Sequence, residues 1–190
     1  MDQIICLVGE AGCGKTAAAK ELESQGFNII QSYTTRPRRE PGEWGHIFVD
    51  IKEVVHNGDR QNDGYIGFGR YQGCFYWGRR EQYQGKGKSI YLIEPQGLKR
   101  LRGEVTDAKI TAIYINVEKE IRYSRLYERV RLNHEHAVLA LEETRIKVEQ
   151  DEELFAVVPC DYMVNGNDQV HVVVQRIVRA IKESNQGEDS

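Results

Sequence analysis

Eight residues near the start of the chain, GEAGCGKT from Gly9 to Thr16, have the types and spacing to hold a polyphosphate. A loop that wraps phosphate oxygens turns consecutive backbone N–H groups inward, and side chains would block that approach. Glycines at 9, 12 and 14 leave the space. Lys15 adds a charge that reaches the β- and γ-phosphates, and Thr16 adds a hydroxyl able to ligate Mg²⁺ together with waters. The contacts then fall on Glu10, Ala11, Gly12, Cys13, Gly14, Lys15, Thr16 and Ala17. A glycine-rich turn that merely precedes a lysine is the competing reading. The β-branched run IICLV before the loop and TAAAKELES after it supply the strand–loop–helix setting that the phosphate reading requires.

A second basic stretch follows. SYTTRPRREPGEWG, Ser32 to Gly45, packs three arginines into four residues of a chain with net charge −3. A helix and the short apolar run FNII separate it from the first loop. Successive strands of a parallel sheet end at one edge, which brings Ser32 to Arg39 beside that loop. Pro37 and Pro41 stiffen the segment, while Arg36 and Arg39 can aim forks of donors at a phosphate. Alone, the stretch also reads as a solvated basic turn.

The elements that must carry these loops follow from patterning. Buried-type strands are predicted at 4–8, 27–30, 89–94, 110–116 and 161–165, and helices at 16–24, 96–102, 118–150 and 170–184, the third interrupted near LNHEH. That alternation predicts an α/β fold, a parallel sheet with helices on both faces. Residues 33–88 break the rhythm, with ten of the eighteen glycines and short aromatic runs, and read as a small antiparallel insert. One domain over 1–185 and a flexible tail at 186–190 are expected. His134, Glu135 and His136 lack the spacing of a metal site and read as solvated. Bulk charge gives no reason to expect nucleic acid or an anionic membrane. No apolar run near the start is long enough to span a bilayer. The four cysteines form no CxxC pair and read as free thiols, so a cytoplasmic setting is expected.

The order of these parts resembles the guanylate kinase family of P-loop nucleoside monophosphate kinases. GEAGCGKT, SYTTRPRR and EPQG carry the resemblance, which runs over nearly the whole chain. It implies a P-loop NTPase-type sheet, an acceptor-binding insert at 33–88 and a helical lid at 122–150. It also implies ATP-dependent, Mg²⁺-assisted phosphoryl transfer between small-molecule nucleotides. By matching position, Ser32, Arg36, Arg39, His46, Tyr76 and Glu94 would bind the acceptor, and Arg129, Arg131 and Arg145 would join Lys15 in catalysis. Asn165 matches an adenine contact. The chain departs from the family where the base is read. Gly67 stands at the place of the guanine-reading glutamate, so a kinase for a different acceptor (a deoxynucleotide, a modified nucleotide or a base in a polynucleotide) is an open alternative. A non-catalytic interaction module is the alternative of another class, and the complete phosphate loop argues against it.

Overall fold

The computed structural model describes residues 1–56, 64–133 and 137–186. The tail from 187 onward and the His134–His136 stretch lie outside the described residues.

Strand β1 (Asp2–Val8) runs through the middle of a five-stranded sheet. Ile4 to Val8 are fully buried, because a central parallel strand is covered on both faces. Its neighbours are β7 (Lys88–Leu92) and β8 (Ala108–Asn116), flanked by β2 (Asn28–Ile30) and β9 (Tyr162–Asn165) in the order β2-β7-β1-β8-β9. All four pairings are parallel. One face is covered by α1 (Lys15–Ser24) and α6 (Val170–Gln186). The apolar stripe Val173, Val174, Ile177, Ala180 and Ile181 fixes the docking of α6. Leu98 and Leu101 of α3 (Pro95–Glu104) cover the other face, together with Tyr83 and Phe155.

Gln31 is the only residue between β2 and β3 (Ser32–Thr34), so the chain leaves the main sheet directly into a second one. That sheet has the order β4-β3-β6-β5, with β4 (His46–Phe48), β5 (Tyr65–Tyr71) and β6 (Cys74–Arg79). The β3-β6-β5 part is antiparallel as patterning predicts, whereas β4 pairs with β3 in parallel. The physical reason is the connection. Residues 35–45 form an arch long enough to return the chain to the start of β3, which a tight hairpin turn does not do. A short helix α2 (Ile51–His56), not foreseen from the sequence, follows β4, and its Val54 joins Tyr65, Phe68 and Trp77 in a small separate core.

Beyond β8, α4 (Lys119–Asn133) and α5 (Ala137–Leu154) form the charged helical region, and the interruption expected near LNHEH falls on residues outside the described ones. Among the described residues, no helix is long and apolar enough to cross a membrane. The four cysteines are free, as expected.

Candidate functional site

A cavity of about 360 Å³ opens at the carboxyl edge of the sheet, with the Gly9–Thr16 loop at one end and the arginine arch at the other. The loop links β1 to α1. Gly14 caps the helix in a left-handed conformation (φ 94°), and a Cβ built there meets nothing nearer than the Arg125 guanidinium at 3.7 Å. The first turn of α1 thus presents its free N–H groups and the Thr16 side to open space. The Lys15 ammonium curls over the loop and donates to the Gly9 carbonyl and, at 3.1 Å, to the Glu10 carbonyl.

Gly9, Ala11, Gly12, Gly14, Lys15, Thr16 and Ala17 line the cavity, but Glu10 and Cys13 turn their side chains inward. Glu10 makes a buried ion pair with Arg122 of α4 (2.8 Å) and accepts from the Tyr114 hydroxyl at 3.2 Å. The Cys13 thiol is 2% exposed and 3.5 Å from the Lys15 ammonium, turned away from the cavity.

At the other end, Ser32, Arg36, Arg39, His46, Tyr76 and Glu94 all line the same cavity. Glu43, which sequence reasoning passed over, organises this end. It accepts from both terminal nitrogens of Arg36 (2.6 and 3.3 Å) and from the Arg39 backbone N–H (2.9 Å). Burial opposes Glu43 ionisation, but the Arg36 contacts and the Arg39 N–H prevail and hold its carboxyl below the usual range. Arg129 lines the cavity from α4. Its guanidinium is shifted down first by desolvation and then by the facing charge of Arg39, with Arg36 adding to it. Three guanidinium groups facing one another, with Glu43 as the main partner, form a site that favours an anion.

His46 is held neutral, its pKa lowered to about 4 by burial first and by Arg36 second. Glu94 moves the other way, to about 7, because burial outweighs the N–H groups it accepts from. Its side chain caps α3 by accepting from the Gly97 N–H at 3.1 Å, with Pro95 at the first helical position.

The arginines of the helical region separate. Arg125 and Arg129 both reach the cavity, as four-residue spacing on one helix face requires. Arg125 was not among the three singled out by resemblance, yet it donates towards the Gly12 carbonyl at 3.4 Å and to the Gly166 carbonyl at 3.0 Å. Arg131 is instead on the outer surface, paired with Glu128 at 2.8 Å, and Arg145 is exposed on α5. Neither lines the cavity. Nor does Asn165, whose side chain accepts from the Asn167 N–H at 2.9 Å. Tyr71 and Phe155 were not foreseen and do line it.

Gly67 has a physical reason of its own. It sits at φ +59°, in the irregular register between Ile66 and Gly69, where an added Cβ would approach Ile93 Cδ1 to 2.9 Å and Tyr91 Cε1 to 3.3 Å. Its N–H donates to Glu104 at 2.8 Å. The position is closed by packing against β7 and α3, so a glutamate there cannot simply be restored as a base reader.

A sequence model of the guanylate kinase family matches residues 1–184. Among solved structures, guanylate kinase from Anaplasma phagocytophilum superposes with a TM-score of 0.63 at 18% identity, covering 96% of this chain and 86% of that one. At that identity the likeness speaks for the fold. No individually curated protein sequence matches the chain.

Proposed function

The chain belongs to the guanylate kinase family, and from that premise we propose that it transfers the γ-phosphoryl group of ATP to a nucleoside monophosphate. The observation that carries this reading is one cavity holding both the phosphate loop, at one end, and the Arg36–Arg39–Arg129 cluster, at the other. Two separated anion sites in one cleft suit a donor and an acceptor that each bring their own phosphate.

In this reading an ionised oxygen of the acceptor phosphate attacks the γ-phosphorus in line. The bond from that phosphorus to the bridging oxygen breaks, leaving ADP and a nucleoside diphosphate. The attacking oxygen needs no strong base, so the protein acts by positioning and charge. Lys15 exchanges its loop carbonyls for the β- and γ-phosphate oxygens. Arg36 and Arg39, pre-set by Glu43, hold the acceptor phosphate. Ser32, His46, Tyr76 and Glu94 line the remainder of its site. Arg129 reaches in from α4 toward the region between the two. We further propose that α4 and α5 act as a lid, and Arg131 and Arg145 reach the phosphates only if it closes.

The residues present fit a magnesium nucleotide: the open face at Gly14 admits a phosphate, and Thr16 stands beside it on the cavity wall. Among the described residues no cluster of His, Cys, Asp or Glu forms a metal site of its own, so Mg²⁺ would be held by Thr16, waters and the nucleotide phosphates. When bound, Mg²⁺ neutralises phosphate charge and orients the leaving group.

A second acceptor class is favoured by one observation. The Gly67 position cannot carry a guanine-reading side chain without displacing Ile93, which leaves an acceptor other than GMP as the alternative within the same chemistry. A coupled ADP-release assay over ribo- and deoxyribonucleoside monophosphates tests both. Turnover with none of them would overturn the kinase reading.

A further inference from the structure

Asp151 lies on α5, near its C-terminal end, and is 1% exposed. A carboxylate that deeply buried requires donors, and its two come from separate parts of the fold. Oδ2 accepts the backbone N–H of Ala11 in the phosphate loop at 2.8 Å. Oδ1 accepts the hydroxyl of Tyr71, the last residue of β5 in the second sheet, at 2.5 Å. Tyr71 also lines the cavity, and its hydroxyl receives Gln72 Nε2 at 3.0 Å. Gln72 and Gly73 form the tight turn of the β5–β6 hairpin, with φ of 48° and 78°, so the Tyr71 position is set by that turn. At the preceding loop residue, Glu10 is tied to Arg122 of α4. The bases of both charged helices therefore grip adjacent residues of the phosphate loop.

We propose that Asp151 is a positioning residue, and that Tyr71–Asp151–Ala11 forms a latch through which the acceptor-side sheet sets the shape of the donor phosphate loop. The inference rests on the donor-site reading above. The carboxylate accepts from both partners, one at each oxygen. An amide in its place offers one acceptor oxygen, so the Tyr71 hydroxyl would have to turn and accept from the NH₂ group, leaving its own proton without that acceptor. Tyr71 is bonded to the loop through Asp151, so removing its hydroxyl perturbs the loop without touching it or changing the local charge. A pre-shaped loop binds phosphate more tightly because less ordering remains to be done on binding.

The test is calorimetric titration of Mg²⁺–AMPPNP, without acceptor, into the wild type, Tyr71→Phe, Asp151→Asn and the double variant. Tyr71→Phe is expected to bind about three- to tenfold more weakly, the consequence of one lost hydrogen bond in the latch. Adding it to Asp151→Asn is expected to weaken binding no further, since the latch is already broken. Should Asp151→Asn fail to fold, Tyr71→Phe carries the test alone against the wild type. Wild-type binding with Tyr71→Phe indistinguishable from it, or with additive losses in the double variant, overturns the latch and leaves the donor site standing. A folded wild type that fails to bind Mg²⁺–AMPPNP overturns the donor-site reading and the latch with it.

Discussion

Gly69 and Glu94 are matched to each other closely enough for one methyl group to reveal it. A Cβ built on Gly69 falls 1.7 Å from Glu94 Oε1 and 2.9 Å from its Cδ, distances at which something must move. Gly69 is not in the left-handed region, so Gly69→Ala adds steric conflict and little backbone strain. The Glu94 side chain has to swing away, and α3 loses the acceptor that satisfies the Gly97 N–H. Loss of an N-cap costs about 1 kcal/mol. Overpacking a closed site adds about 1–2 kcal/mol. The sum, about 2–3 kcal/mol, corresponds to a fall in Tm of about 4–12 °C for a chain of this size. Thermal and urea unfolding of Gly69→Ala, Glu94→Ala and the double variant form a cycle. In the Glu94→Ala background the added methyl group should cost about 1 kcal/mol or less, the remainder coming from the Gly97 nitrogen at 3.3 Å. An equal cost of Gly69→Ala in both backgrounds would refute the argument, because the Glu94 carboxyl would then not be what fills the space.

Lys15→Ala should abolish phosphoryl transfer in the coupled assay and leave the circular dichroism spectrum unchanged, since among the described residues the Lys15 ammonium bonds only within its own loop. Arg36→Ala and Arg39→Ala should each lower kcat/KM for the acceptor by about ten- to a hundredfold, while calorimetry finds ATP affinity near wild type; a collapse of ATP binding would contradict the division of the cleft into two ends. Glu94 titrates at about 7 in the folded protein against an ordinary 4.5. Its burial therefore favours folding most below pH 4.5, and that contribution is lost as pH rises through 7. In urea unfolding from pH 4.5 to 8, Glu94→Gln should flatten this loss of stability.

The phosphate-loop motif was legible in the sequence because its residues are local. Eight consecutive residues carry the glycines, the lysine and the hydroxyl, and the strand and helix that frame them have their own periodicity. The same holds for the buried strands of the parallel sheet, where continuous apolar runs leave few alternatives. Arg36 and Arg39 were found for a similar reason, as a cluster of like charge between prolines. What tertiary structure decided was which side chains meet across chain separations that no pattern spans. Arg125, Arg129 and Arg131 share one helix and one residue type, yet only the first two face the cleft, because α4 packs with Arg122 buried against Glu10. Glu43 looks like any acidic loop residue until the arch folds it onto Arg36. Asp151 is one more acid among VEQDEEL, and only packing brings it to a backbone N–H 140 residues away. Gly67 reads as a missing side chain in the sequence. In the fold glycine suits the position, since φ is +59° there and a Cβ would press on the Ile93 and Tyr91 side chains.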